Sequence, residues 1–184
     1  KYIFKNLEDK VNRAKLTIIN PLQIKTISTR NKKKSFLAIN DLSLFRQSKQ
    51  TAFLRLKTNN NILINKLIGD GVLVSTPAGS TAYNLSIHGP ILSLNSKKLA
   101  ITPISPFRPR RWKGKVVSEK TKIDISNIDS KKRPVAAVAD NNEPRNIKKI
   151  QVIINKNIRL KLLFNKKESL IKKIKSEQKR KLIK

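Results

Sequence analysis

Several residue types are rare or missing in this chain, and each gap excludes a class of protein. Cysteine does not occur, which excludes a disulfide framework and any thiolate metal site. A single histidine excludes a histidine-rich metal centre. No apolar run approaches the roughly 20 residues that a membrane-spanning helix needs. We therefore expect no membrane partner and a cytoplasmic location.

Methionine is also missing, even at position 1, which is lysine. A translated reading frame normally begins with methionine, so we expect these 184 residues to be part of a longer protein. With 38% hydrophobic and 29% charged side chains, the chain has enough apolar material for one domain with a real core.

Acidic residues are scarce: 11 Asp and Glu stand against 42 Lys and Arg, a net charge of +31. Such a charge suggests a nucleic-acid partner, because cations gain affinity by releasing phosphate counterions. The lysines nevertheless occur in every segment, and the basic runs 31–35 and 179–184 contain no aromatic residue for base stacking. A solvated basic surface is the favoured interpretation, with a basic nucleic-acid-binding module on a nucleotide-binding scaffold as the alternative.

The hydrophobic pattern predicts a mainly β protein. Ala52, Leu54 and Leu56 alternate with polar or outward residues, as in a strand with one buried face. Strands are predicted at 16–19, 23–29, 35–46, 51–57, 61–68, 71–76, 98–104, 115–118, 122–126, 133–140, 147–155 and 158–164. Short polar turns join most of them, which favours antiparallel sheets in a β-sandwich-like domain.

Helices are predicted at both ends of the chain and at one insertion. Residues 6–15 form the first, where Asn6 can cap the helix and Leu7, Val11 and Ala14 share a face. The last is amphipathic. The expected organisation is a connecting helix (1–15), a β-sandwich domain (16–165) and a C-terminal helix (166–184).

The segment 69–90 has a composition unlike the rest of the chain. It reads GDGVLVSTPAGSTAYNLSIHGP and holds most of the five glycines and the one histidine. It predicts a strand, a tight glycine turn and a short helix with Ser80 or Thr81 as N-cap. Such a turn lets a phosphate or a nucleoside approach the main chain, although its spacing fits neither the P-loop nor the Rossmann fingerprint. A turn that only reverses the chain is the alternative.

The letters of three segments resemble the NAD kinases. DGVLVSTPAGSTAYNLSIHGPI (70–91) resembles the family signature, AINDLSLFRQ (38–47) its Asn-acid strand, and LAITPISPFRPRRWKG (99–114) a segment typical of the alphaproteobacterial branch. The resemblance extends from about residue 1 to the C-terminal helix. It implies the C-terminal β-sandwich domain of a protein whose N-terminal α/β domain carries a Gly-Gly-Asp-Gly motif.

The resemblance also implies an activity: phosphoryl transfer from ATP or polyphosphate, with Mg²⁺, to the 2′-hydroxyl of the adenosine ribose of NAD. Gly-Gly-Asp-Gly does not occur in this chain, so the catalytic aspartate is expected upstream of Lys1. We therefore expect no catalytic and no metal-binding residue here, and weak or no activity from the chain alone. A homo-oligomer, either a dimer or a tetramer, is expected, because in the family a neighbouring subunit often completes the site.

Carried over by position, the resemblance assigns the NAD contacts. Asn40 would bind the adenine side, Asp41, where the family usually has glutamate, the ribose hydroxyls, and Asp70 the nicotinamide end. The adenine pocket would be lined by the run Thr81, Ala82, Tyr83, Asn84, Leu85 and Ser86. The simpler alternative is that the Asn40–Asp41 pair and Asp70 are turn residues.

Other candidate residues receive no catalytic role. His88 lies beside Gly89-Pro90 without an obvious partner. Arg108, Arg110 and Arg111 could bind phosphates in bidentate fashion, but a structural or subunit-contact role is favoured. Asp140 lies where relatives often have Asp-Gly; because Asn141 replaces the glycine, no function is carried over to it.

Overall fold

The computed structural model describes residues 7–164, half of which lie in strands. The helices are α1 (Leu7–Arg13) and α2 (Tyr83–Ser86), with a 3₁₀ turn at Gly79–Thr81. The strands are β1 (Lys15–Ile19), β2 (Leu22–Ser28), β3 (Lys33–Ala38), β4 (Asp41–Arg46), β5 (Ala52–Thr58), β6 (Asn61–Gly69), β7 (Gly71–Ser75), β8 (Lys98–Ile104), β9 (Lys115–Ser118), β10 (Ile123–Asn127), β11 (Val135–Ala139), β12 (Ile147–Ile154) and β13 (Leu160–Phe164).

The strands form two large antiparallel sheets and one small one. The six-stranded sheet has the order β3-β2-β12-β10-β5-β6, and the five-stranded sheet has the order β11-β4-β7-β8-β9. Strands β1 and β13 pair separately. Buried side chains of both large sheets belong to one hydrophobic cluster, so the sheets pack face to face. The predicted mainly β, antiparallel, sandwich-like fold is confirmed.

Period-two burial explains how each strand contributes to this core. In β5, Ala52, Leu54 and Leu56 are buried while Arg55 is exposed, as the alternation predicts. The same alternation on β10 buries Ile123 and Ile125. Each strand thereby turns one apolar row toward the facing sheet, and burial of that row fixes its register.

The predicted single strand 35–46 is wrong in one respect, because it is two strands in different sheets. Strand β3 ends at Ala38 in the six-stranded sheet, and β4 begins at Asp41 in the five-stranded sheet. Ile39 and Asn40 carry the chain from one sheet to the other. Local pattern could not reveal this, since apolar residues occur on both sides of the junction and what interrupts the strand is a contact with a distant turn.

Strand β7 lies at the centre of the five-stranded sheet and is buried along its whole length. Val72 and Val74 point into the shared core, while Leu73 is buried on the opposite face of the sheet. The 3₁₀ turn and α2 follow β7 directly, so the signature segment is attached to the most buried strand of its sheet.

The ends of the described chain differ from the sandwich. The predicted N-terminal helix is present as α1, but Leu7 and Val11 are 51% and 45% exposed, so its expected apolar face packs against nothing described. The predicted C-terminal helix lies outside the described residues. Within residues 7–164, no helix is both long and apolar enough to cross a membrane.

Candidate functional site

Hydrogen bonds join the Ile39–Asn40 junction between the two sheets to Thr76, which follows β7. The Thr76 N–H donates to Asn40 O at 2.9 Å, and the Thr76 hydroxyl lies 2.8 Å from Ile39 O and 3.0 Å from Asn40 O. The Gly79 N–H donates to the same hydroxyl at 3.1 Å. Thr76 therefore fixes Asn40 beside the glycine turn.

Gly79 is required by this close approach. A Cβ at position 79 would lie 2.1 Å from Asn40 O, inside any van der Waals contact. Because glycine has no Cβ, the two backbone segments can touch. The glycine of the signature thus brings the Asn40–Asp41 pair against the turn.

The segment after the turn is anchored by two buried polar side chains. The Ser80 hydroxyl donates to Pro77 O at 2.7 Å and accepts from Leu92 N at 3.0 Å. The fully buried Asn84 amide donates to Ser80 O and Pro90 O and accepts from the Thr102 hydroxyl at 2.7 Å. These bonds hold α2 on the outer face of β8.

The predicted N-cap is wrong. Ala82 precedes α2 and makes no side-chain cap bond, and the 3₁₀ turn is preceded by Ala78. The Ser80 hydroxyl is engaged by Pro77 and Leu92 instead. A helix of four residues gains little from a cap, so the tertiary bonds decide its conformation.

Strand β4 forms the floor of the candidate site. Its outward row is Asp41, Ser43 and Phe45, because Leu42 and Leu44 point into the core. The Tyr83 ring of α2 stacks on Phe45, with centroids 6.0 Å apart and 25° between the planes. Tyr83 is still 36% exposed, so one part of its ring remains open to a ligand.

Asp70 lies at the other end of β4 from Asp41. It faces Arg46, whose Nε donates to Asp70 Oδ1 at 2.5 Å and whose N–H donates to Asp70 O at 2.9 Å. Asp41 and Arg46 are five positions apart on β4, so Asp41 and Asp70 lie about 17 Å apart along the strand. Asp41 and Asp70 therefore mark the two ends of the stretch of β4 that carries Phe45 beneath the Tyr83 ring.

The electrostatics agree with this arrangement. The pKa of Tyr83 is raised above its ordinary value by burial and then by the negative charges of Asp41 and Asp70. Burial, followed by the charge of Asp140, raises the pKa of Asp41 to about 6. Both predicted carboxylates therefore act on the predicted tyrosine.

Residues 39–163 match the family described as the ATP-NAD kinase C-terminal domain. The chain belongs to the NAD kinase family. Among curated NAD kinases it is 44% identical to that of Zymomonas mobilis and 45% to that of Rhizorhabdus wittichii, covering 94% of this chain and 67% of each relative. The chain thus spans about two thirds of the length of these relatives.

Solved structures show the same fold. Yeast NADH kinase complexed with NADH superimposes with a TM-score of 0.81 at 24% identity, covering 98% of this chain and 56% of that chain. An Archaeoglobus fulgidus NAD kinase in complex with ATP gives 0.70 at 22% identity, covering 94% and 64%. The identification of the chain as the C-terminal part of an NAD kinase is confirmed.

The nine residues predicted to contact NAD differ in their exposure to solvent. Those with an exposed surface are Asn40, Ala82, Tyr83 and Ser86, and those half-buried are Asp41, Asp70, Thr81 and Leu85. Asn84 alone is fully buried, with the side-chain bonds to Ser80, Pro90 and Thr102 given above. Its predicted substrate contact stays a prediction.

Sequence reasoning missed four residues that shape the site: Thr76, Phe45, Arg46 and Asp140. Thr76 belongs to the family signature, so its role could have been sought there. Arg46 and Asp140 join the site through strand pairing, since β4 lies between β7 and β11. No local signal in a single sequence reports such pairing.

The remaining candidates lie beside the site without joining it. His88 is exposed with a φ of 62°, and its N–H completes the end of α2. Arg108 bridges to Ile68 by backbone bonds of 2.7 and 3.1 Å, which places the arginine-rich loop next to Asp70. Arg108 and Arg110 each lie 5.7 Å from the Phe107 ring.

Metal binding has no support from the side chains seen between residues 7 and 164. No three His, Cys, Asp or Glu residues come together there as a metal site would require. The donor set does not fit a resident Mg²⁺, so no step of the function is derived through a metal held by these residues.

Proposed function

We propose that this chain is the NAD-binding, C-terminal part of an NAD kinase. The reaction is phosphoryl transfer from ATP or polyphosphate to the 2′-hydroxyl of the adenosine ribose of NAD, in the cytoplasm. The observation that carries the proposal is the stacking of Tyr83 on Phe45 of β4, where the charges of both Asp41 and Asp70 act on the tyrosine.

Asn40 and Asp41 bind the adenosine. The Asn40 amide offers a donor and an acceptor together, which matches the edge of adenine. The Asp41 carboxylate accepts hydrogen bonds from ribose hydroxyls. Family members usually have glutamate at this position, so the shorter aspartate brings the ribose closer to the backbone of β4.

The run 81–86 forms the adenine pocket. The open part of the Tyr83 ring gives a stacking face, and Thr81 and Ser86 supply hydroxyls. Ala82 and Leu85 add small and apolar contacts to the pocket wall. Asn84 contributes by fixing the run on β8 through its internal bonds.

Asp70 binds the nicotinamide end. Arg46 holds its Oδ1 at 2.5 Å, which fixes the direction of the carboxylate. In the family this aspartate often serves the site of a neighbouring subunit, and we extend the proposal to a homo-oligomer, a dimer or tetramer. Arg46 then acts as the positioning partner of Asp70 across that site.

The chain supplies binding and orientation to a reaction that depends on both. Phosphoryl transfer needs positioning and charge neutralisation more than covalent participation by the protein. The family's Gly-Gly-Asp-Gly motif does not occur in these 184 residues, so activation of the ribose hydroxyl is assigned to that motif outside them. Mg²⁺, which neutralises the polyphosphate of the donor, belongs to the proposal as a companion of ATP.

Isothermal titration of the chain with NAD tests the proposal. Asn40→Ala and Tyr83→Ala should each weaken binding about five- to thirtyfold, the effect of losing a hydrogen-bonding pair or a stacking face. Asp124→Asn is the control, because Asp124 lies on β10 in the other large sheet. Equal affinity of all three variants and the native chain would contradict the proposal.

A second candidate, polyanion binding, is favoured by one observation. The basic charge is spread along the sequence, but the fold gathers Lys25, Lys33, Lys34 and Lys149 around a groove of about 450 Å³ on the six-stranded sheet. Titration with a DNA duplex at rising salt separates the candidates. Duplex affinity that falls steeply with salt supports polyanion binding, whereas saturable NAD binding that survives moderate salt supports the kinase.

A further inference from the structure

Asp140 ends the strand next to the candidate site and has no role in the function proposed above. It follows β11, whose Ala139 pairs with Leu42 of β4. Ala139 and Asn142 exchange two backbone hydrogen bonds of 2.9 Å, so Asp140 and Asn141 form a two-residue turn. The φ of Asp140 is 46°, in the left-handed region that aspartate tolerates better than most residues.

The Asp140 side chain reaches the junction between the two sheets. Its Oδ2 accepts a hydrogen bond from the Ile39 N–H at 2.7 Å, across 101 positions of sequence. The Ile39 carbonyl is contacted from the opposite side of the chain by the Thr76 hydroxyl. The residue immediately before the Asn40–Asp41 pair is therefore held through both its N–H and its C=O.

The charge of Asp140 also acts on Asp41. Antiparallel pairing puts the end of β11 beside the start of β4, so Asp140 and Asp41 lie next to each other at the same end of these two strands. The other groups around Asp41 are Ser75, its neighbour on β7, and Tyr83 of α2. None of the ion pairs formed between residues 7 and 164 includes Asp41 or Asp140.

We propose that Asp140 is a positioning residue for NAD, which fixes the Ile39–Asp41 junction through the Ile39 N–H and makes the ribose contact of Asp41 depend on pH. The inference rests on the proposed function, because it assigns the ribose to Asp41. It gives Asp140 two separable effects, one through a hydrogen bond and one through charge.

The charge effect has a definite sign. Burial and the neighbouring Asp140 raise the pKa of Asp41 to about 6, so the carboxylate that accepts ribose hydroxyls is lost as the pH falls through that value. One pH unit below the midpoint, NAD binding should be about tenfold weaker than at the alkaline plateau. Removing the charge of Asp140 moves the midpoint to lower pH.

Two variants separate the two effects in NAD titrations between pH 5 and 8. Asp140→Asn keeps an oxygen acceptor for Ile39 but removes the charge, so it should bind NAD within about twofold of the native chain at pH 7.5 and show a lower midpoint. Asp140→Ala removes both, so it should also bind about fivefold or more weakly at pH 7.5. Glu143→Gln is the control, because it removes one nearby charge from an exposed residue paired with Arg145.

The inference is overturned if Asp140→Asn leaves the midpoint where the native chain and Glu143→Gln have it, or if Asp140→Ala binds as tightly as the native chain at pH 7.5. A native chain that binds no NAD at any pH would overturn the proposed function instead. In that case the carboxyl ¹³C titration of Asp41 still tests the coupling without ligand. A midpoint that is lower in Asp140→Asn supports it, and an identical midpoint contradicts it.

Discussion

Gly79 shows how the site depends on a single missing atom. A Cβ at this position would lie 2.1 Å from Asn40 O and 2.4 Å from its carbonyl carbon, and both atoms belong to the backbone. Backbone atoms cannot turn away as the end of a flexible side chain can. The glycine is therefore required by contact, and the contact it allows is the one that places Asn40.

Substitution of Gly79 tests this contact. Gly79→Ala should lower the free energy of unfolding by about 2 to 3 kcal/mol, because the turn and the Asn40 junction must separate. Urea unfolding followed by circular dichroism measures the change. Gly69→Ala is the graded comparison, since its Cβ would come no closer than 2.9 Å to backbone oxygen. An equal or larger loss for Gly69→Ala would contradict the role of Gly79.

Asp41 gives the site a pH-dependent stability. Its pKa is raised from 3.8 to about 6, so the folded protein binds this proton more tightly than the unfolded chain does. The resulting stabilisation is complete below pH 3.8 and is lost as the pH rises through about 6. Ionised Asp41 is thus a destabilising group that is kept at a candidate binding position.

Asp41→Asn should remove the destabilisation that ionised Asp41 causes. The variant should gain melting temperature relative to the native chain at pH 7, and the gain should shrink toward pH 4, where the native Asp41 is mostly protonated. Thermal unfolding monitored by circular dichroism at several pH values measures the difference. Asp129→Asn, on the loop after β10, provides a carboxylate control. A constant difference across the range would show that the charge of Asp41 is not its cause.

At the scale of elements, the segment from the 3₁₀ turn to Leu92 is held by tertiary bonds. Helix α2 has four residues, which is too short to be stable alone. The buried Asn84 side chain joins Ser80 and Pro90 of this segment to Thr102 of β8. Loss of the Asn84 side chain would remove the bond that holds the run 81–86 on β8.

Asn84→Ala should cost about 2 to 4 kcal/mol of unfolding free energy, because it leaves a cavity and removes the partner of three polar groups, two of them in buried bonds. Denaturant unfolding measures the loss, and NAD titration should show weaker binding as the run 81–86 loosens. Thr102→Val removes only one of the three bonds and should cost less. If both variants cost the same, Asn84 does not join the segment to β8 in the way described.

Local sequence predicted some strand positions correctly and failed at others. Period-two burial located β5 and β10 within one or two residues, because each has one apolar face. The break at residues 39–40 was missed, since it depends on Thr76 and Asp140, which are distant in sequence. The predicted N-cap, Ser80 or Thr81, was wrong because the Ser80 hydroxyl bonds to Pro77 and Leu92 and Ala82 precedes the helix.

At the scale of the whole molecule, the proposed function assigns binding to the described residues and the catalytic group to residues outside them. Between residues 7 and 164, no cluster of His, Cys, Asp or Glu could hold a metal ion. Binding and chemistry can therefore be separated by experiment.

We expect this chain to bind NAD but to form NADP at less than about 10⁻³ s⁻¹, against about 1–100 s⁻¹ for kinases in general. An assay coupled to an NADP-specific dehydrogenase, with ATP or polyphosphate and Mg²⁺, measures the rate. Heat-denatured chain provides the background. NADP formation at ordinary kinase rates would show that these residues contain a catalytic group that the proposed function does not assign.

The sequence by itself determined the fold class, the strand faces and the family, because alternation of apolar residues and the letters of 70–91 are local properties of the chain. It also identified Asn40, Asp41, Asp70 and Tyr83 as candidates through the family resemblance. Only the tertiary structure decided that Asp41 and Asp70 lie at opposite ends of β4, that Arg46 holds one of them, and that Asp140 acts on the other. These relations arise from the pairing of β4 with β7 and β11, and strand pairing is fixed by burial of the whole sheet rather than by any short segment of the chain.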